Sequence, residues 1–146
     1  MHGRWLLLPA LAIAAAVGAQ DMTPPRVVPT DKLAEYWAIT NTSVDVDMPN
    51  SGVNLDKPGC ATVSFVIEKD GSTSTIRVHR VVPPGDLGKV AASEAASLHF
   101  APTMANAGRS RVMSWLIFPF NLPQDPEARK AVMQKCYIKS LDLTGK

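Results

Sequence analysis

From Cys60 to Glu68 apolar side chains take every second position, with Ala61, Val63, Phe65 and Ile67 alternating with Thr62, Ser64, Val66 and Glu68. A period of two sets the first four on one face of a strand and predicts that this face meets a core. Lys69-Asp70-Gly71-Ser72 follows, and Asp-Gly between two alternating runs predicts a two-residue hairpin turn, because both residues accept positive φ. The return strand then runs from Thr73 to about Val82. Such a turn places Phe65 opposite Ile76, Val63 opposite Val78 and Ser64 opposite Arg77, with Thr62 opposite His79 and Cys60 opposite Val81.

Pro83, Pro84 and Gly85 end the return strand and leave Asp86 to cap a helix through Leu98. Leu87, Val90, Ala91, Ala95 and Leu98 make a narrow apolar stripe on that helix, and the small Ala92 and Ala96 beside it allow close packing on a sheet. After Pro102 and the turn Asn106-Ala107-Gly108, a long final strand is predicted from Ser110 to Leu122. It is apolar on both sides: Val112, Leu116, Phe118, Phe120 and Leu122 share one, while Met113, Trp115 and Ile117 share the other. The second face therefore needs a cover of its own. The tail supplies one, since Pro126 opens a helical pattern with Ala128, Val132 and Cys136 at four-residue spacing. Cys60 belongs by phase to that second face, so a Cys60–Cys136 disulfide would tie the tail across it; two free buried thiols are the alternative.

Upstream of the hairpin the pattern is weaker. Residues 20–29 hold Pro24, Pro25 and Pro29 without periodicity, Thr30 can cap a short helix through Leu33, Tyr36 and Trp37, and residues 41–59 are rich in turn formers. Pro119 cannot donate to a ladder, which predicts that its strand lies at a sheet edge or is bulged there.

Composition narrows the field without naming a function. A length of 146 residues fits one compact domain, and a formal charge of +2 gives no field for nucleic-acid phosphates. With 46% hydrophobic and 19% charged residues, wholesale disorder is excluded. Residues 1–19 read as an export signal: Arg4, an apolar run from Trp5 to Val17, and small residues Val17-Gly18-Ala19 before a cleavage site at Gln20. A retained anchor is the alternative, but the run is short of the ~20 apolar residues that cross a bilayer and contains Pro9. Export implies an oxidising compartment, a bacterial periplasm for a signal of this style, and no stable membrane insertion once the signal is removed.

Chemistry-bearing constellations are absent from the mature sequence. His79 and His99 have no Cys, Asp or second His at ligand spacing, no phosphate-cradling Gly-rich loop or Gly-x-Ser-x-Gly elbow occurs, and Glu68 and Asp70 read as solvated residues of a hairpin end. The expectation is a protein without enzymatic activity, cofactor or metal. What remains is the final strand, whose unpaired backbone is open to two readings. Pro119, Arg109 and Arg111 could simply protect an edge, or the edge could accept a strand from another protein.

The run GCATVSFVIEKDGSTSTIRVHRVVPPGDLGKVAASEAASLHFAP with NAGRSRVMSWLIFPFNLP resembles the TonB C-terminal domain family. The likeness is carried by Gly59, Asp70-Gly71, Phe100 with Pro102, Gly108, and Phe120 with Leu122, over about half of the chain. It implies an α+β fold with a three-stranded antiparallel sheet (β-β-α-β), one covering helix and a short C-terminal helix. The first hairpin strand would be central and the last strand at the edge. It further implies β-strand addition of an extended peptide from an outer-membrane transporter or another envelope protein along Arg111, Val112, Met113, Ser114, Trp115, Leu116, Ile117, Phe118 and Phe120. A homodimer, or a structural envelope protein with no transport role, is the alternative. The expected layout is a signal peptide over 1–19, an irregular segment over 20–58, the TonB-like domain over 59–123, and a disulfide-tied helical tail over 124–146. Against the family's pattern, the N-terminal apolar run is too short for its membrane anchor and the long Pro-rich spacer is essentially absent, so the expectation is a stand-alone binding module; a retained anchor would revive coupling to a membrane motor.

Overall fold

The computed structural model describes residues 23–41 and 49–141; the export-signal reading of residues 1–19 lies outside them. In chain order the elements are β1 (Arg26–Val27), α1 (Thr30–Tyr36), β2 (Trp37–Ile39), β3 (Gly59–Ile67), β4 (Thr73–Val82), α2 (Leu87–Ala96), β5 (Phe100–Pro102), a 3-10 turn (Met104–Asn106), β6 (Val112–Phe120) and α3 (Pro126–Lys135). One sheet has the order β1-β6-β3-β4, and β2 pairs with β5 in a separate ribbon.

Every residue of β3 is buried. It is flanked by β4 and β6, both antiparallel to it, and is covered on both faces. Ala61, Val63, Phe65 and Ile67 join Ala91, Ala95, Leu98, Phe100, Val112 and Phe118 in the main core. The alternation of β3 and the Ala-rich stripe of α2 predict this packing; small side chains let the helix approach the sheet closely. Val28, Leu33 and Trp37 complete the same core from the N-terminal side.

Cover for the second face comes from the tail. Cys60 and Cys136 form a disulfide across a separation of 76 residues, and the Thr62 hydroxyl donates to the Cys136 carbonyl. Arg80 reaches over from β4 and donates from Nη1 to the carbonyls of Lys135 and Tyr137, each at 3.2 Å. A cation there satisfies free carbonyls at the end of a helix and suits the negative end of its dipole. At the other end, Asp125 accepts from the Ala128 N–H at 2.8 Å and Pro126 occupies the first turn, so α3 starts at the position its sequence predicts.

Several expectations need correction. The main sheet has four strands, because Arg26–Val27 adds a short parallel strand outside β6, and the ribbon of β2 and β5 is a further addition. The hairpin loop has three residues rather than two: Glu68 N–H donates to the Ser72 carbonyl, and Gly71 takes the left-handed position at φ 87°. Asp-Gly fits this loop as well as the tighter one, since only the glycine needs positive φ. Pairing therefore starts one residue out of step, with Ile67 opposite Thr73. Irregularities in the pairing around Thr75 and His79 change it twice more. Val63 still meets Val78 and Ser64 meets Arg77, but Thr62 faces Arg80 and Cys60 faces Val82, while Phe65 has no single partner. Neither expected N-cap closes its own helix. Asp86 accepts from the Val53 N–H at 2.8 Å and pairs with Lys89, and the Thr30 hydroxyl donates to the Trp115 carbonyl.

Two stability measurements follow. A Cβ on Gly71 would lie 1.9 Å from the Phe100 carbonyl oxygen, so Gly71→Ala is expected to lower the unfolding free energy in urea by about 1–3 kcal/mol. The Cys60→Ala/Cys136→Ala pair opens a long cross-linked loop and is expected to cost about 4 kcal/mol in the same assay, as the chain-entropy relation gives for that separation.

Candidate functional site

Alternate residues of a strand direct their backbone groups to opposite sides, and this sorts β6 into two sets. The carbonyls of Arg111 and Met113 accept from the N–H groups of Arg26 (3.1 Å) and Val28 (2.9 Å), so the odd-numbered residues face away from β3. Trp115 belongs to that set and its carbonyl accepts from the Thr30 hydroxyl. Ile117 is next in phase, and Pro119 after it has no N–H to offer. Among the described residues, no strand pairs with β6 on this side past Met113.

β6 is thus not the free edge the sequence predicts along its whole length. Arg111, Met113 and Trp115 have their outward carbonyls occupied by the chain's own residues 26–30. The side chains of Val112, Ser114 and Phe118 are buried, and Leu116 and Phe120 pack partly against the core. Their backbone N–H and C=O groups point toward β3, so they offer no hydrogen bonds to an added strand, although Val112 lies opposite Arg26 in the ladder. Ile117 is left as the outward position that opens to the surface.

Around Ile117 the surface is concave. A groove of about 450 Å³ runs between the start of α1 (Pro29, Thr30, Asp31) and the residues that follow α3 (Tyr137, Ile138, Lys139), with Trp115 to Ile117 along its floor. Tyr137 is 63% exposed, large for an aromatic side chain, and links this groove to a second hollow formed with Ile117, Lys130, Met133 and Gln134. The far wall is held in place by the disulfide, Thr62 and Arg80, which fasten the end of α3 to the sheet. Apolar lining with a few charges at the rim suits an extended segment bearing an apolar side chain.

At the opposite end of β6, Arg111 does not act as a loose edge charge. Its Nε donates to Glu68 Oε2 at 2.6 Å and an Nη to Oε1 at 2.9 Å, a bidentate pair, and its other Nη donates to the Thr23 carbonyl at 3.2 Å. Glu68 also accepts from the Ser74 hydroxyl. The Arg111 hydrogen bonds are the main cause that holds the Glu68 carboxyl below the usual glutamate range. Glu68 is therefore a structural partner and not a solvated turn residue, whereas Asp70 does cap the turn by accepting from the Ser72 N–H and hydroxyl. His79 is half-buried with Nε2 2.7 Å from Ser64 Oγ, and burial followed by the charge of Arg77 pushes its pKa down. His99 lies beyond the end of α2 and uses its backbone to hold Asn41 and Thr40. Among the described residues no group of three or more His, Cys, Asp and Glu side chains is placed to hold a metal ion.

Residues 26–30 are the part of the site that sequence reasoning missed. A two-residue strand has no measurable period, and the signal available was only Val27-Val28 framed by Pro25 and Pro29, β-formers between residues with fixed φ.

The chain is similar in coarse shape to the solution NMR structure of the Pseudomonas aeruginosa TonB CTD, at 18% identity and a TM-score of 0.42, over 61% of this chain and 89% of that one. No family model matches the sequence. No curated protein matches it either. A likeness of this size carries no residue role from that protein to this chain.

Because its folded pKa lies below the unfolded one, Glu68 adds stability above the ordinary glutamate pKa, and that contribution is lost as pH falls through the folded value. Carbon-detected NMR titration should give a Glu68 midpoint below those of exposed glutamates, and Arg111→Gln should move it back toward them.

Proposed function

We propose that this chain is an exported protein-binding module that accepts an extended segment of another envelope protein at the Ile117 end of β6. An outer-membrane transporter's periplasmic segment is the kind of partner that fits. The observation that carries this reading is that, among the described residues, no strand pairs with β6 past Met113, which leaves the outward backbone of Ile117 at the floor of an apolar groove. A docked strand gains main-chain hydrogen bonds from Ile117 and apolar contact with Trp115, Ile138 and the exposed Tyr137, the usual division between affinity and selectivity in strand addition. The rim charges Asp31, Lys130 and Lys139 add orientation more than affinity.

A periplasmic setting is supported by the disulfide, which persists under oxidising conditions and fixes the groove's far wall. Among the described residues no helix is long and apolar enough to cross a membrane. The role is recognition without chemistry.

The test is an amide-shift titration of the chain with a synthetic transporter N-terminal peptide, with sedimentation in parallel. Shifts should centre on Trp115, Ile117 and Tyr137, and Tyr137→Ala should weaken binding about tenfold, as loss of an aromatic anchor does. Ile117→Pro, which deletes the outward N–H, should weaken it at least as much. Shifts confined to the outer side of β4, or a dimer whose formation alone perturbs Ile117, would refute the proposal.

A further inference from the structure

The first half of the same edge carries a resident ligand, the chain itself. Its attachment is slight for a strand in a sheet. Pairing covers two residues, both exposed, with Val27 at 42%. Beyond the ladder itself, the Arg26 and Val28 N–H groups donate to β6, the Thr30 hydroxyl donates to the Trp115 carbonyl, Arg111 holds the Thr23 carbonyl, and the Arg26 guanidinium lies 5.0 Å above the Tyr36 ring. Hollows of about 470 Å³, shared with Lys69 and Asn106, and about 320 Å³, shared with Arg77 and His79, undercut Thr23 to Val27 from its two sides.

Two features favour reversible release. Pro24, Pro25 and Pro29 keep the segment extended even when detached, so little chain entropy separates the docked from the free form. The one side chain it buries is Val28, at 3% exposure beside the core residues Leu33 and Trp37. Withdrawal of residues 23–30 as a unit would expose the carbonyls of Arg111, Met113 and Trp115 in line with Ile117, together with the slot that Val28 fills.

We infer that residues 23–30 are a displaceable strap that occupies half of the strand-accepting edge, and that a partner strand replaces it by placing a β-branched apolar residue in the Val28 slot. This rests on the docking role assigned to the Ile117 groove and adds to it a competitor and a recognition element. The strap sets the threshold for binding: a segment that reaches only the groove is held weakly, and one that also supplies the Val28 equivalent takes the full edge.

Amide hydrogen exchange on the full chain tests release without any partner. Arg26 and Val28 amides should exchange through one common opening, at least about tenfold faster than the central amides of β3. Exchange of all of them at one rate would make β1 a permanent strand and overturn the inference. Replacement is tested with a synthetic peptide of residues 22–30 added to the full chain, which should shift Val112 and Met113 and accelerate Arg26 exchange, whereas the same peptide carrying Val28→Asp should do neither. Equal behaviour of the two peptides, or no effect of either, overturns the inference. A transporter peptide that binds at Ile117 while Arg26 and Val28 stay fully protected would also defeat it and leave the docking role intact. Strap exchange without any binding at Ile117 would have the opposite meaning.

Discussion

The structure depends on the burial of β3 from both sides. A strand flanked by two others and apolar or small along its length must be covered above and below, and one helix covers only one face. α2 covers the first face with a row of alanines. The second face receives a helix that has no buried residue of its own and would not stay there on hydrophobicity alone. The disulfide and the polar clamp from Thr62 and Arg80 supply what apolar area does not. From this follow the position of Tyr137 and the shape of the groove beside Ile117.

The same logic accounts for the asymmetry between the two sheet edges. β4 is the long outer strand on one side, and it is made irregular by two register changes and a positive φ at Thr75, with Arg77 and Arg80 along it. Bulges and cations discourage pairing with foreign strands. β6 on the other side is regular and apolar, and is covered instead by a short stretch of the chain's own backbone. One edge is blunted by geometry, the other by occupancy.

How much of this is legible in the sequence varies with the length over which a pattern repeats. β3, β4 and α2 announce themselves because nine or ten residues of regular period carry each one. The Cys60–Cys136 link is readable because phase assigns Cys60 to the face that lacks a cover. The hairpin loop is misjudged by one residue because Asp-Gly suits two loop lengths, and register errors then follow along β4. β1, β2 and β5 have two or three residues each, too few for any period, and their pairing is decided by tertiary contacts such as Trp37 in the core. The outward set on β6 is legible in phase, since Pro119 lies on the side that needs no donor for β3, but its occupant is not.

The cross-link between Cys60 and Cys136 joins the middle of the sheet to the residue just before Tyr137. The bond therefore holds the segment around Tyr137 against the sheet. Under the proposed role, a chain with reduced thiols would lose the covalent anchor of one bank of the channel, which would make its competence to receive another protein depend on the redox state of its surroundings.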